Sequence, residues 1–364
     1  VTSPACAVQP APAGGSALFC NPASYVAPGA DQNYLFADGV HPSAAAHALV
    51  AQYAISMLEA PNQVSVLPHV ESVAGRARAE RVAAQLAVKP AGDGMRWWGD
   101  VQGDFQRYGD GNLYDGSGPT ASFGLDWSAG NLRYGGFAGF GRQDYDWGMR
   151  RGDFSEHEAT IGGFLGWAGD SAWINGQLSY SHLGFDTDRD IVLGPAVRTQ
   201  HGSTSGRNIS AGVNGGWNFD SGNWHHGPFA SVLYQRIDVD GFAEDTPTQS
   251  TSLAYPDQRF RSLVGSLGWQ VSYTPSDRIQ PYARVGWDRE FRRMPDEAFA
   301  QAQSIPGSLA YAVPGIQFDR TYGTVLLGAR TRVWGLDANF GASTTVAQEG
   351  GDNASVFVTF GNSF

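Results

Sequence analysis

From about Gly94 to Phe364 the chain alternates with a period of two, and turn residues interrupt it at fairly regular spacing. Twelve segments read as strands: 95–107, 120–130, 132–145, 154–169, 172–186, 206–219, 224–239, 259–274, 279–293, 317–333, 335–346 and 353–364. Tight connectors (Ser128-Ala129-Gly130-Asn131, Gly169-Asp170-Ser171, Asp220-Ser221-Gly222-Asn223, Pro275-Ser276-Asp277) alternate with longer polar loops at 187–205, 241–257 and 294–316. An even number of strands, with short turns at one end and long loops at the other, is the pattern of a transmembrane barrel. In SLVGSLGWQVSY the parity of Leu263, Gly265, Leu267, Trp269 and Val271 is cleanly apolar. In LRYGGFAGFGRQDYDW, Leu132, Tyr134, Gly136, Ala138 and Phe140 occupy one parity and the opposite parity is mixed, so this strand alone leaves its outer face open. Aromatics gather near strand ends at Trp97, Trp98, Tyr145, Trp147, Trp217, Phe219, Trp224, Trp287 and Trp334, as interfacial girdles require. The fold class expected is an all-β membrane protein, with residues 94–364 closed into a twelve-stranded antiparallel barrel.

Two other textures precede the strands. Within 62–93, HVESVAGRARAERVAAQLAVKP reads as one helix of about 20 residues, about 30 Å long and so matched to a hydrocarbon core. Glu71, Arg76, Arg78, Glu80 and Arg81 bar it from lipid, which leaves a solvated linker or a rod inside a polar channel. Within 1–61, the stretch 43–60 places Ala46, Leu49, Tyr53 and Met57 near helical spacing, with Pro42 at its start and Pro61 as its stop. About 60 residues rarely build such a core alone, so this segment reads as the small α/β end of a larger globular body.

Composition narrows the options. A net charge of −11 and a single lysine, Lys89, argue against a nucleic-acid partner. No run of 18 apolar residues exists to form a membrane helix, which says nothing against a barrel. Cys6 and Cys20 are the two cysteines. Paired, they would close a short loop, stabilise it by about 3 kcal/mol and imply an oxidising compartment; two free thiols are the alternative. The chain opens on Val1 without a secretory signal, which reads as a partial or processed product.

The candidate chemistry lies in YLFADGVHPSAAAH, residues 34–47. Asp38 and His41 stand three apart, followed by Pro42 and a helix. With the helix and the barrel behind it, this order resembles a type V autotransporter carrying a GDSL-type (SGNH) esterase or lipase passenger. The resemblance covers about 1–61 for the passenger and 94–364 for the barrel, and it includes the cysteine pair. It implies His41 as general base and Asp38 as its orienter, the pairing a serine nucleophile requires. It also implies a nucleophile block upstream of Asp38, for which the 37 preceding residues are too few, so this chain alone is expected to be inactive. Gly169-Asp170-Ser171 follows the His and reads as a hairpin turn.

The resemblance implies further that Arg76, Arg78 and Arg81 sit in the lumen and meet acidic side chains, with Asp104, Asp126 and Glu158 as candidates. SVFVTFGNSF, ending on Phe364, is similar to the C-terminal signal read by the barrel-assembly machinery, although Asn362 departs from it. The expected setting is a monomer in Gram-negative outer-membrane lipid, displaying a passenger for ester or lipid substrates at the cell surface, without cofactor or metal. His225-His226 and the acidic run Asp186, Asp188, Asp190 read as turn and loop features. The alternative function is a passive outer-membrane pore or adhesin without hydrolase activity.

Overall fold

The structure is a computed structural model that describes residues 4–6, 17–87, 89–90, 92–275 and 279–363. Twelve long strands form the barrel: β1 (Gly94–Tyr108), β2 (Tyr114–Ala129), β3 (Leu132–Trp147), β4 (Gly152–Ala168), β5 (Ala172–Leu193), β6 (Ala196–Trp217), β7 (Trp224–Val239), β8 (Gln258–Tyr273), β9 (Ile279–Glu290), β10 (Thr321–Val333), β11 (Leu336–Val346) and β12 (Gly351–Ser363). Each pairs antiparallel with the next, and β12 returns to β1 in register from Arg96↔Ser363 to Tyr108↔Gly351. The ring therefore has no free edge. That is the only arrangement in which strands survive in lipid, because hydrocarbon offers nothing to an unpaired amide.

Parity along each strand separates the two surfaces. Leu132, Tyr134 and Phe140 point outward from β3 while Arg133 and Phe137 point in, which resolves the mixed strand. Leu267 and Trp269 are exposed on the outside of β8, as their parity predicts. Trp217, Trp224, Trp287 and Trp334 are exposed near strand ends. Three of the expected girdle residues are instead internal: Trp98, Tyr145 and Trp147 are buried. Trp98 lies opposite Gly124 on β2, where a Cβ would fall 2.2 Å from the indole. The missing side chain gives the ring its slot, and with Val82, Leu86, Phe137 and Phe164 it makes an apolar pad inside the lumen.

Among the described residues three α-helices precede the barrel: α1 (Ala30–Asn33), α2 (Ala44–Ser65) and α3 (Leu67–Leu86). Pro61 does not end α2 but lies inside it. A proline there leaves the carbonyl four residues back without its N–H; Tyr311 Oη donates to that Met57 oxygen at 2.5 Å and makes the continuation possible. Val66 closes α2 and opens α3, which then runs down the lumen towards the end where β1 begins. At the opposite, long-loop end, Ala60, Val64, Leu67 and Val70 pack with Tyr108, Tyr114, Tyr145, Trp147, Phe154 and Phe185 into an apolar cork. The segment 187–205 is no loop: β5 and β6 continue as a paired hairpin to Leu193↔Ala196. The other two long loops carry short strands at Phe242–Ala243, Leu253–Tyr255, Glu297–Ala302 and Tyr311–Pro314, which form a small sheet over the same end.

Candidate functional site

Residues 34–43 fold back on themselves before α2 begins. Phe36 and Pro42 bridge, Ala37 N donates to His41 O at 2.8 Å, and Ser43 N donates to Leu35 O at 3.0 Å. Asp38 clamps the interior of this loop. Its Oδ1 accepts from the N–H groups of Val40 (2.8 Å) and His41 (2.7 Å), and its Oδ2 lies 2.7 Å from His41 Nδ1. The Asp38 side chain is 4% exposed and that of His41 63%. The carboxylate is thus the fixed support and the ring the accessible edge. With Nδ1–H held by Asp38, the lone pair sits on Nε2, the tautomer a general base needs. Among the described residues Nε2 has no hydrogen-bond partner.

The loop is braced from the chain before it. Ala5 N donates to Phe36 O at 2.8 Å and Cys6 N to Ala37 O at 3.0 Å. Cys6 and Cys20 form a disulfide with Cα atoms 5.6 Å apart, which ties this brace to the 17–26 segment. Three residues hold no periodicity, so the brace itself is invisible to pattern reading, and the cysteine pair was its one signal. Ser43 then caps α2, its Oγ accepting from Ala46 N at 3.2 Å. The helix stands on the long-loop end through Tyr53 Oη donating to Ser250 O (2.9 Å), Gly194 N donating to Gln52 Oε1 (2.6 Å) and Arg151–Glu59 (2.6 Å).

The remaining candidates fall elsewhere. Gly169-Asp170-Ser171 is the β4–β5 turn at the opposite end, where Lys89 pairs with Asp170 and holds its carboxyl below the ordinary value. His225, at the start of β7, is held by Asp220 at 2.6 Å. Asp188 and Asp190 bond to His201 and Thr199 across the β5–β6 hairpin. Among the described residues no group of three His, Cys, Asp or Glu could hold a metal. Phe364 lies outside the described residues.

Inside the lumen the three arginines of α3 each find a different wall. Arg78 donates to Glu158 on β4 and to Ser181 on β5 (3.0 Å), with Glu71 of its own helix at 3.5 Å. Arg81 meets Asp100 at 3.1 Å and Thr359 at 2.9 Å, its guanidinium 3.3 Å above the Phe357 ring. Arg76 reaches the Tyr322 hydroxyl and Glu80. Of the expected acidic partners, Glu158 alone bonds to α3. Asp104 accepts from Gln102 and Ser355, and Asp126 pairs with Arg96 and Arg133. Those two arginines also donate to the Gln85 carbonyl at 3.3 and 2.7 Å, capping the C-terminal end of α3 from the wall. Gly75 lets the helix approach β6 and β7: a Cβ there would fall 2.5 Å from Gln235 Oε1 and 2.8 Å from Asn208 Nδ2.

A closed barrel with a polar bore and a charged helix pinned along it defines an outer-membrane translocator unit. Residues 97–360 match the family model described as autotransporter beta-domain, and the chain belongs to that family. Its fold is that of the translocator domain of autotransporter NalP from Neisseria meningitidis (TM-score 0.65, 21% identity, covering 82% of this chain and 98% of that one). It is also that of the β domain of the Bordetella autotransporter BrkA (TM-score 0.52, 20% identity, 75% and 100% covered). In sequence the chain is similar to esterase EstA of Pseudomonas aeruginosa, 28% identical over 75% of this chain and 44% of the relative. It is similar too to lipase 1 of Photorhabdus luminescens, 27% identical over 72% and 40%. The chain spans less than half the length of these two relatives. The barrel sits in the outer membrane, with its short turns on the periplasmic side and α2 at the cell surface.

Proposed function

We propose that this chain anchors and exports a surface-displayed carboxylic ester hydrolase, with residues 1–61 as the end of the passenger and 62–93 as the linker through the barrel. Asp38 orients His41, and His41 Nε2 takes the proton of a serine contributed by passenger residues outside these 364. The reading rests on the Asp38 clamp, in which one carboxylate fixes both the backbone of the loop and the tautomer of the exposed imidazole. The names of the relatives point to the same chemistry, with esters or lipids as substrates. The uncut helix keeps the enzyme on the cell, and the barrel-assembly machinery inserts the barrel through its C-terminal strand, Phe364 included.

The test is hydrolysis of a p-nitrophenyl ester by intact cells displaying the full-length protein. Asp38→Asn leaves the loop near its shape but permits the wrong tautomer, and activity falls on the order of 10⁴-fold. His41→Ala falls by a similar factor, with the surface amount of protein unchanged in both. Hydrolysis by His41→Ala at the wild-type rate would overturn the assignment.

A further inference from the structure

The outer wall of β6–β8 changes character near its long-loop end. Arg207 on β6, Arg236 on β7 and Arg259 on β8 converge on the buried Asp238, at 3.2, 3.1 and 2.5 Å. Each donates through Nε alone, which leaves the terminal amino groups of all three guanidiniums without a hydrogen-bond partner among the described residues. Arg261 is exposed beside them, directly opposite Arg236 in the ladder, and has no ion pair among the described residues. Like charges facing each other across two strands repel. Asp238 offsets only part of this, because its two oxygens are already shared by three arginines. Two more carboxylates, Asp240 and Asp257, lie one outward step farther from the membrane, where Ser205 Oγ and Gly241 N donate to them. The acids therefore stand on the water side, and the row nearest the lipid, Ile209, Arg236 and Arg261, holds no acid.

The height of the cluster gives it a neighbour. Ten residues separate Arg207 from Trp217 on β6, and ten separate Arg259 from Trp269 on β8. At about 3.3 Å per residue and a tilt of about 40°, that is about 25 Å along the membrane normal, the height of the apolar band. Below Arg236 and Arg261 the outward positions carry no charge as far as the two tryptophans, and Val213, Val232 and Leu267 are exposed there. Trp217 and Trp269 mark the periplasmic boundary, so the arginines stand at the level of the outer-leaflet headgroups. The same end of β3–β5 is acidic instead, exposing Asp186, Asp188 and Asp144, the last paired with Arg142. The positive face is thus confined to one side of the barrel. A guanidinium fixed through Nε still presents its two terminal amino groups as a fork, the geometry that matches the oxygens of a phosphate.

We propose that Arg207, Arg236, Arg259 and Arg261 bind the phosphates of an anionic lipid headgroup in the outer leaflet, with Asp238 positioning the guanidiniums. The acyl chains of that lipid lie below the cluster, along Val213, Val232 and Leu267. The experiment is native mass spectrometry of the intact chain in detergent, titrated with bis-phosphorylated lipid A, with its dephosphorylated form and with inorganic phosphate. Removing the phosphates from the lipid is expected to weaken binding about tenfold or more, the loss of one charge-assisted hydrogen bond being enough for that factor. Arg236→Gln with Arg261→Gln is expected to lose a similar factor towards the phosphorylated lipid, with barrel integrity checked by heat-modifiable gel mobility. Arg142→Gln, on the acidic side, is expected to bind as wild type does. Equal binding of the two lipids by the wild type overturns the proposal whatever the variants do. So does a folded double arginine variant that keeps wild-type affinity, and so does inorganic phosphate that binds as tightly as the lipid.

Discussion

Arg78→Gln is the sharpest perturbation of the helix-in-barrel arrangement. Arg78 is buried among Glu71, Glu158 and Ser181, with Glu156 beside Glu71 in the same group. Removing the guanidinium leaves Glu71 and Glu158 without the one cation that pairs with them among the described residues. Breaking a buried pair from one side costs about 3–5 kcal/mol, most of it the penalty of the bared charge. The barrel keeps its own ladder, so the loss falls on the docking of α3. At about 1.4 kcal/mol per decade, the population of displaced helix rises by roughly two to three and a half orders of magnitude. Trypsin reads this directly, since Arg76 and Arg81 are cleavage sites that the docked helix shields. Fast cleavage within α3 is expected for Arg78→Gln, with unchanged heat-modifiable mobility of the barrel. Adding Glu158→Gln removes one bared charge and should restore part of the protection. Cleavage at the wild-type rate, or a Glu158→Gln effect that is the same with and without Arg78, would refute the coupling.

Three further outcomes follow from other parts of the molecule. Gly75→Leu drives a side chain into Gln235 and Asn208, costs about 1–3 kcal/mol as overpacking and should also speed cleavage of α3; unchanged protection would contradict the close approach. Leu267→Arg puts a charge on the lipid face of β8 and should lower barrel stability by roughly 2–4 kcal/mol in urea unfolding from vesicles; a neutral effect would mean that this face does not meet lipid. His201, on the hairpin beyond the membrane, is raised above its ordinary pKa by its hydrogen bond to Asp188 and by that charge. Its contribution is therefore complete below about pH 6.5, the unfolded value, and is lost as pH rises through the raised folded value. Hydrogen exchange of amides 184–205 should speed up over that window, and His201→Gln should flatten the change; an equal rise in the variant would discard the link.

Most of the barrel was legible because lipid and water enforce one rule at every second residue. Where a strand had one greasy parity, as Leu263 to Val271 in β8, the outer face could be read at once. Aromatic residues broke the rule, since Trp98 and Tyr145 look like girdle residues in sequence and differ only in which parity they take. Their true place depends on partners far along the chain, Gly124 on the neighbouring strand for Trp98 and the α2–α3 junction for Tyr145, and no local window contains those partners. The run 187–205 misled for a related reason. Polar residues on both faces mark a loop inside a membrane barrel, but a hairpin that rises into water pairs just as well without a greasy side. Pro61 is the third case: the rule that proline ends a helix assumes the freed carbonyl finds nothing, and Tyr311, 250 residues later, supplies the donor. The Asp38–His41 hydrogen bond was readable because its three-residue spacing is local.

The junction at Val66 gives these pieces a mechanical consequence. A passenger joined by a flexible linker would sample every orientation above the membrane. Here α2 runs into α3 through a single shared residue, and the cork of Ala60, Val64, Leu67 and Val70 against the Tyr108–Phe154 aromatics grips both helices at that point. Below the grip, Arg78 and Arg81 hold the rod to the wall, and Arg96 and Arg133 hold its end. Above it, Tyr53, Gln52, Glu59 and the Tyr311–Met57 bond fix the tilt. From Ala60 back to Ser43 the helix rises about 25 Å, so the Asp38–His41 loop is carried at a set height and direction above the barrel. The charged rod in the bore and the imidazole at the surface are therefore one rigid element. A change that frees α3 from the lumen should also release the orientation of His41 relative to the membrane.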